Sequence, residues 1–167
     1  LYAHYKPENQ RALPPLPPRG LALAELSPRE AKISWQSSAD ATGYRLYLDD
    51  VCISEHGIPQ AEFVLQHLVP KTEYTLWVTA VNAEGESGPA SLTFTTPEQT
   101  YRVTWDVDGL ITHEVYGEGE MPVYKGYTEK PADETHIYHF SGWSPALAPV
   151  TADVTYTAQY EAIPITF

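Results

Sequence analysis

The chain has 167 residues, 43% of them hydrophobic, and sets 22 acidic residues against 10 lysines and arginines for a net charge of −12. That is enough apolar material for one or two packed domains, and too little positive charge for a nucleic-acid surface, whose phosphates need a basic face. No apolar run approaches the roughly 18 residues that would span a bilayer, and the one cysteine, Cys52, cannot form an internal disulfide.

In chain order, the opening Leu1-Tyr2-Ala3-His4-Tyr5 echoes Tyr156-Thr157-Ala158-Gln159-Tyr160 near the other end. With no initiator methionine and no leader, the chain is expected to be a processed or excised piece whose targeting signal lies outside it. The segment 11–20, RALPPLPPRG, places four prolines in five positions. Prolines fix φ and remove backbone donors, so residues 14–19 are expected to form an extended, stiff connector. Pro14, Pro17 and Arg19 also fit a PxxPxR ligand pattern, but a stiff spacer is the preferred reading.

From residue 20 the pattern becomes short alternating strands. Ile33 and Trp35 share a face, as do Tyr44, Leu46 and Leu48. Phe63 and Leu65 follow, then Tyr74, Leu76, Val78 and Ala80. Period-2 alternation with turns every eight to twelve residues predicts a sandwich. Cys52 falls in such an alternation, in DDVCISE, and reads as a buried or half-buried strand thiol rather than a nucleophile. The stretch 97–100, PEQT, breaks the pattern. Tyr101, Val103, Trp105 and Val107 then share a face, Asp108-Gly109 predicts a tight hairpin turn, and HIYHFSGW and DVTYTAQY predict two further strands. No long helix is predicted, so the fold class is mostly β.

Residues 20–97 resemble a fibronectin type III domain. The resemblance is carried by Trp35, by Tyr44, and by LVPKTEYTLWVTAVNAEGESGPAS, in which Leu68, Pro70, Thr72 and Tyr74 match the L-x-P-x-T-x-Y turn. It implies an immunoglobulin-like sandwich with Tyr74 as the corner tyrosine. Residues 100–162 resemble the repeat of listerial internalins and of many surface proteins of Gram-positive bacteria and Bacteroides, through YRVTWDVDG, YHFSGWSP and VTADVTYTAQY. That resemblance implies a small β-grasp-like module with Trp105 and Trp143 in its core. The stretch SPALAPVTAD departs from the simpler members and leaves the strand number open. Such repeats commonly close on TLYA and an aromatic residue, so residues 1–13 are expected to be the end of a preceding copy.

No recognised catalytic motif is found; paired carboxylates for glycoside hydrolysis stay open, since acids are plentiful, but such small modules offer little room for a deep cleft. GESGPA has the wrong spacing for a nucleophile elbow, and HEVYG lacks a second histidine at helical spacing. His136 and His139, three apart on a strand, point to opposite faces. Asp106 to Gly109 begins like a calcium loop but lacks its remainder, and a hairpin explains it. The expectation is therefore no enzyme, no cofactor and no metal. The suggestive surface feature is aromatic: the alternation turns Trp77 and Tyr47 outward, on strands that the fibronectin type III resemblance implies are neighbours, where they would form a platform for sugar rings or partner side chains. The plainer alternative is that these rings cover the sheet or pack on the second module. The expected role is a non-catalytic spacer in a secreted or cell-wall-attached bacterial protein, in contact with neighbouring domains of its own polypeptide. Its alternative is a module binding a polysaccharide or a cell-surface protein.

Overall fold

The computed structural model describes residues 12–54 and 56–167. The echo in residues 1–5, and all but the last two residues of the expected end of a preceding repeat, lie outside them. The chain divides between Pro97 and Glu98 into two compact units. Both are built of strands, and no helix occurs among the described residues.

In the first unit, β1 (Arg19–Leu26), β2 (Ala31–Gln36) and β5 (Glu62–Leu65) form an antiparallel sheet in the order β1-β2-β5. The second sheet is built on β6 (Glu73–Asn82). On one side β6 pairs with β3 (Gly43–Leu48), which carries β4 (Val51–Cys52). On the other it pairs with β7 (Gly85–Glu86) and β8 (Ala90–Thr95). The alternating residues of both sheets meet inside: Ile33, Leu46, Leu65, Leu76, Val78 and Phe94 are buried in one cluster, each contributing on the order of 1.5–3 kcal/mol by leaving water. Trp35, 6% exposed, meets Tyr44 edge-on with ring centroids 5.2 Å apart, and the Tyr44 hydroxyl accepts the Ser38 N–H at 2.9 Å. Leu68 is buried, and the hydroxyl of Tyr74, five residues after Val69, accepts the Val69 N–H at 2.9 Å. Cys52 is free and half-buried.

The proline segment is not a free connector. Pro15 and Pro18 are buried, while Leu13 and Leu16 remain exposed. The Asn82 amide donates to the Leu13 carbonyl at 3.0 Å. Pro14 lies over Gly85 and Pro17 over Gly88, so close that a Cβ at either glycine would touch the proline ring, at 3.4 and 3.7 Å. Arg19, assigned from sequence to the connector, already opens β1. Polyproline geometry repeats every three residues, so Pro15 and Pro18 fall on one side, and Pro14 and Pro17 meet two glycines that are themselves three apart.

In the second unit, β9 (Thr100–Val107) and β10 (Leu110–Gly117) form a hairpin over Asp108-Gly109, both at positive φ of 51° and 87°. β11 (His136–Ser144) and β12 (Val154–Pro164) form the second hairpin-like pair, and β12 lies parallel to β9, giving the order β10-β9-β12-β11. This mixed sheet, with its first and last strands parallel at the centre, has the β-grasp arrangement without a helix. β12 runs to Pro164, past the expected limit at 162. The strand number, open in the sequence, is four. One face carries the core: Val103, Trp105, Val150 and Tyr156 are buried, with Tyr101, Tyr116, Tyr124, Trp143 and Leu147 packed on them. Trp105 is 1% exposed and lies 4.8 to 5.2 Å from the rings of Trp143, Tyr124 and Tyr156. Strict alternation from Tyr138 and Phe140 would put Gly142 on this face and Trp143 off it. A bulge between Phe140 and Gly142 shifts the register and returns Trp143 to the core. Gly142 takes φ 141° there, a conformation side-chain-bearing residues rarely adopt.

Candidate functional site

The alternation that buries Leu46, Leu76 and Val78 necessarily turns Arg45, Tyr47, Trp77 and Thr79 outward. Tyr47 stands directly across from Trp77 in the β3–β6 register, and the small Ser91 faces Trp77 from β8. The two aromatic residues expected from sequence are thus neighbours. Trp77 is 38% exposed and Tyr47 half-buried. They line a groove of about 360 Å³ together with Asp50, Thr79, Glu86 and Pro89. Asp49 and Asp50 make the β3–β4 turn at positive φ, and Asp49 Oδ1 accepts the Thr75 N–H at 2.8 Å, pinning the turn to β6.

Glu86, which no motif singles out, is the centre of the groove's polar wall. Its Oε1 accepts the Tyr47 hydroxyl at 2.7 Å and the Thr79 hydroxyl at 2.6 Å, and Arg45 reaches its Oε2 at 3.3 Å. Partial burial works to raise its pKa, but the hydroxyls of Thr79 and Tyr47 and the Arg45 charge outweigh it and hold the carboxyl below its usual range. Hydrogen bonding to that carboxylate, chiefly, raises the Tyr47 phenol. Outward parity with Trp77 marks Thr79 in the sequence. Glu86 arrives from a two-residue strand that no periodicity announces.

The perturbed groups of the second unit serve its architecture. Glu114 accepts the Tyr116 hydroxyl at 2.7 Å and the Trp105 indole N–H at 3.3 Å, and these bonds, the Tyr116 bond foremost, lower its pKa. Lys130 pairs with Asp108 at 3.1 Å and lies over the rings of Tyr138 and Tyr160, 4.5 and 5.7 Å from their centroids. Asp133 accepts the Tyr138 hydroxyl at 2.5 Å, the backbone N–H groups of Thr135 and His136 at 2.8 and 2.7 Å, and the Thr135 hydroxyl at 3.0 Å. These donors hold its carboxyl far below the usual carboxylate range. A carboxyl depressed by folding contributes stability above its unfolded value, near 3.8, and loses it as pH falls through the folded value. The side-chain carboxyl carbon of Asp133 is therefore expected to hold its chemical shift down to about pH 4 and to titrate only in stronger acid. NMR titration checks this, and a midpoint at the ordinary value would contradict it. Among the described residues, no group of three or more His, Cys, Asp or Glu could hold a metal ion.

Residues 16–97 match the family model of the fibronectin type III domain. The first unit is a fibronectin type III domain. Its two sheets, buried Trp35 and bonded Tyr74 corner are the arrangement that the sequence resemblance implied. Among solved structures, the chain is similar to the fn3 domain of the human collagen alpha-1(XX) chain, with 29% identity, 53% of this chain and 89% of that one covered, and a TM-score of 0.44. It is similar to FN3tt mut at 25% identity, covering 50% of this chain and 98% of that one, with a TM-score of 0.46. Similarity to chitinase ChiA74 from Bacillus thuringiensis is 23% identity over 57% of this chain and 16% of the enzyme, with a TM-score of 0.48. Fibronectin type III domains are generally non-catalytic. No helix among the described residues is long and apolar enough to cross a membrane.

Proposed function

We propose that the chain is a spacer and presentation segment of a multi-domain bacterial cell-surface or secreted protein. In this reading the fibronectin type III domain is followed by an internalin-like surface repeat, and the neighbours are other domains of the same polypeptide. The observation that carries it is the docked proline segment. Pro14 and Pro17 seat on Gly85 and Gly88, and Asn82 holds the Leu13 carbonyl. The chain thus enters the domain in a fixed direction, as a stiff spacer requires and a swinging tether does not. Spin labels at Leu13→Cys and Val64→Cys, in a Cys52→Ser background, are expected to give a narrow distance distribution. A broad one would overturn the spacer reading.

A second reading, recognition of a polysaccharide or a cell-surface protein, is favoured by one observation, the open groove at Trp77 and Tyr47 beside Glu86. Trp77→Ala is the variant that tests it, because the ring is exposed and its loss leaves the core intact.

A further inference from the structure

We propose that the groove of Tyr47, Asp50, Trp77 and Glu86 binds a cationic side chain, an arginine or lysine of a partner protein; this rests on the recognition reading just given. The first argument is a census of donors and acceptors. The hydroxyls of Tyr47 and Thr79, the groove's two side-chain O–H donors, are both spent on Glu86 Oε1. The remaining donor is the Trp77 indole N–H, which lies at the ring edge and leaves the face free. Asp50 makes no hydrogen bond or ion pair among the described residues, and Glu86 Oε2 carries only the long Arg45 contact. The open polar wall is thus nearly all acceptor, while a carboxylate can take about four hydrogen bonds. A sugar hydroxyl can both give and receive, and here only its donor half would be matched. An ammonium or guanidinium group only gives, and an aromatic face attracts it.

The second argument comes from the other unit, which builds the same chemistry and fills it from within. There Lys130 lies over Tyr138 and Tyr160 and pairs with Asp108, a hairpin-turn aspartate at positive φ. In the first unit the two rings are Tyr47 and Trp77, and the hairpin-turn aspartate at positive φ is Asp50. The intramolecular lysine is missing. Trp77 stacks on no other ring among the described residues. Arg45, bound to Glu86 at the margin, shows that the wall accepts a guanidinium. The chain's net charge of −12 favours the approach of cationic partners over anionic ones.

The whole chain is titrated calorimetrically with an end-capped arginine peptide, its citrulline counterpart and a panel of neutral polysaccharides. The inference expects the arginine peptide to bind and citrulline not to. Trp77→Ala should weaken binding about tenfold or more, and Asp50→Asn, which tolerates the same positive φ, should weaken it severalfold. Arg45→Gln should strengthen it, because the internal competitor for Glu86 is gone. Equal binding of arginine and citrulline peptides, or Trp77-dependent binding of a polysaccharide alone, overturns the cationic inference and leaves the recognition reading standing. No binding by any probe overturns both.

Discussion

Trp105→Ala is expected to unfold the second unit under conditions where the parent chain is folded. The ring is 1% exposed and is the hub of an aromatic cluster, within about 5 Å of Trp143, Tyr124 and Tyr156. Truncating a buried Trp costs about 3–5 kcal/mol once the cavity is counted. The unit spans residues 98–167, 70 residues, and a core of that size rarely supplies more than about 3–5 kcal/mol. Loss and supply are thus equal. The substitution also strips Glu114 of one of its two donors and leaves Tyr116 as the other. Limited proteolysis with mass mapping should show cuts spread through residues 98–167 at 25 °C, and Trp143 emission should shift to the exposed wavelength. Retention of a cooperative transition with a loss under about 1 kcal/mol would show that the aromatic cluster is not what holds this sheet together.

The second large effect is a contrast at one position. Trp35 is 6% exposed and packs edge-on against Tyr44, yet its indole Nε1 is buried with no hydrogen-bond partner among the described residues. Trp35→Ala should therefore destabilise the fibronectin type III domain by about 3–5 kcal/mol, because ring contacts are lost and a cavity opens. Trp35→Phe keeps most of the apolar ring and removes a donor whose burial without a partner costs about 1–3 kcal/mol. The two terms oppose each other, so the phenylalanine variant should lose less than half of what alanine loses. Urea unfolding of both variants measures the difference. Equal losses would mean that the indole N–H is satisfied in solution.

The parts of this fold legible in the sequence are those written in short range. Alternation alone put Ile33, Leu46, Leu76 and Val78 inside and Trp77 outside. The turn chemistry of Asp108-Gly109 and the L-x-P-x-T-x-Y pattern named their local geometry. What was not legible depends on partners far apart in the chain. Glu86 meets Tyr47 across 39 residues, and Tyr160 donates to the Thr128 carbonyl across 32. Trp143 reaches the core only through a bulge that breaks the alternation by which strands are read. The proline segment was readable in part: its stiffness followed from composition, but its seat on Gly85 and Gly88 needed the fold of the loop opposite. In the groove, the two aromatic residues were legible as outward rings. The polar wall that decides which ligand they suit was not.

The docked prolines also set how the domain responds to tension applied from its N-terminal side. Proline has no backbone N–H, so this segment cannot join a sheet ladder. Among the described residues it is fastened by packing, with Pro15 and Pro18 buried and Pro14 and Pro17 on glycines, and by the single Asn82 bond, whereas β1 is laced to β2 by backbone hydrogen bonds from Arg19 to Leu26. Under load the prolines therefore peel away first, one ring at a time, before any strand is drawn out. Because they are already extended, their release adds little length, and the domain yields first in direction rather than in reach.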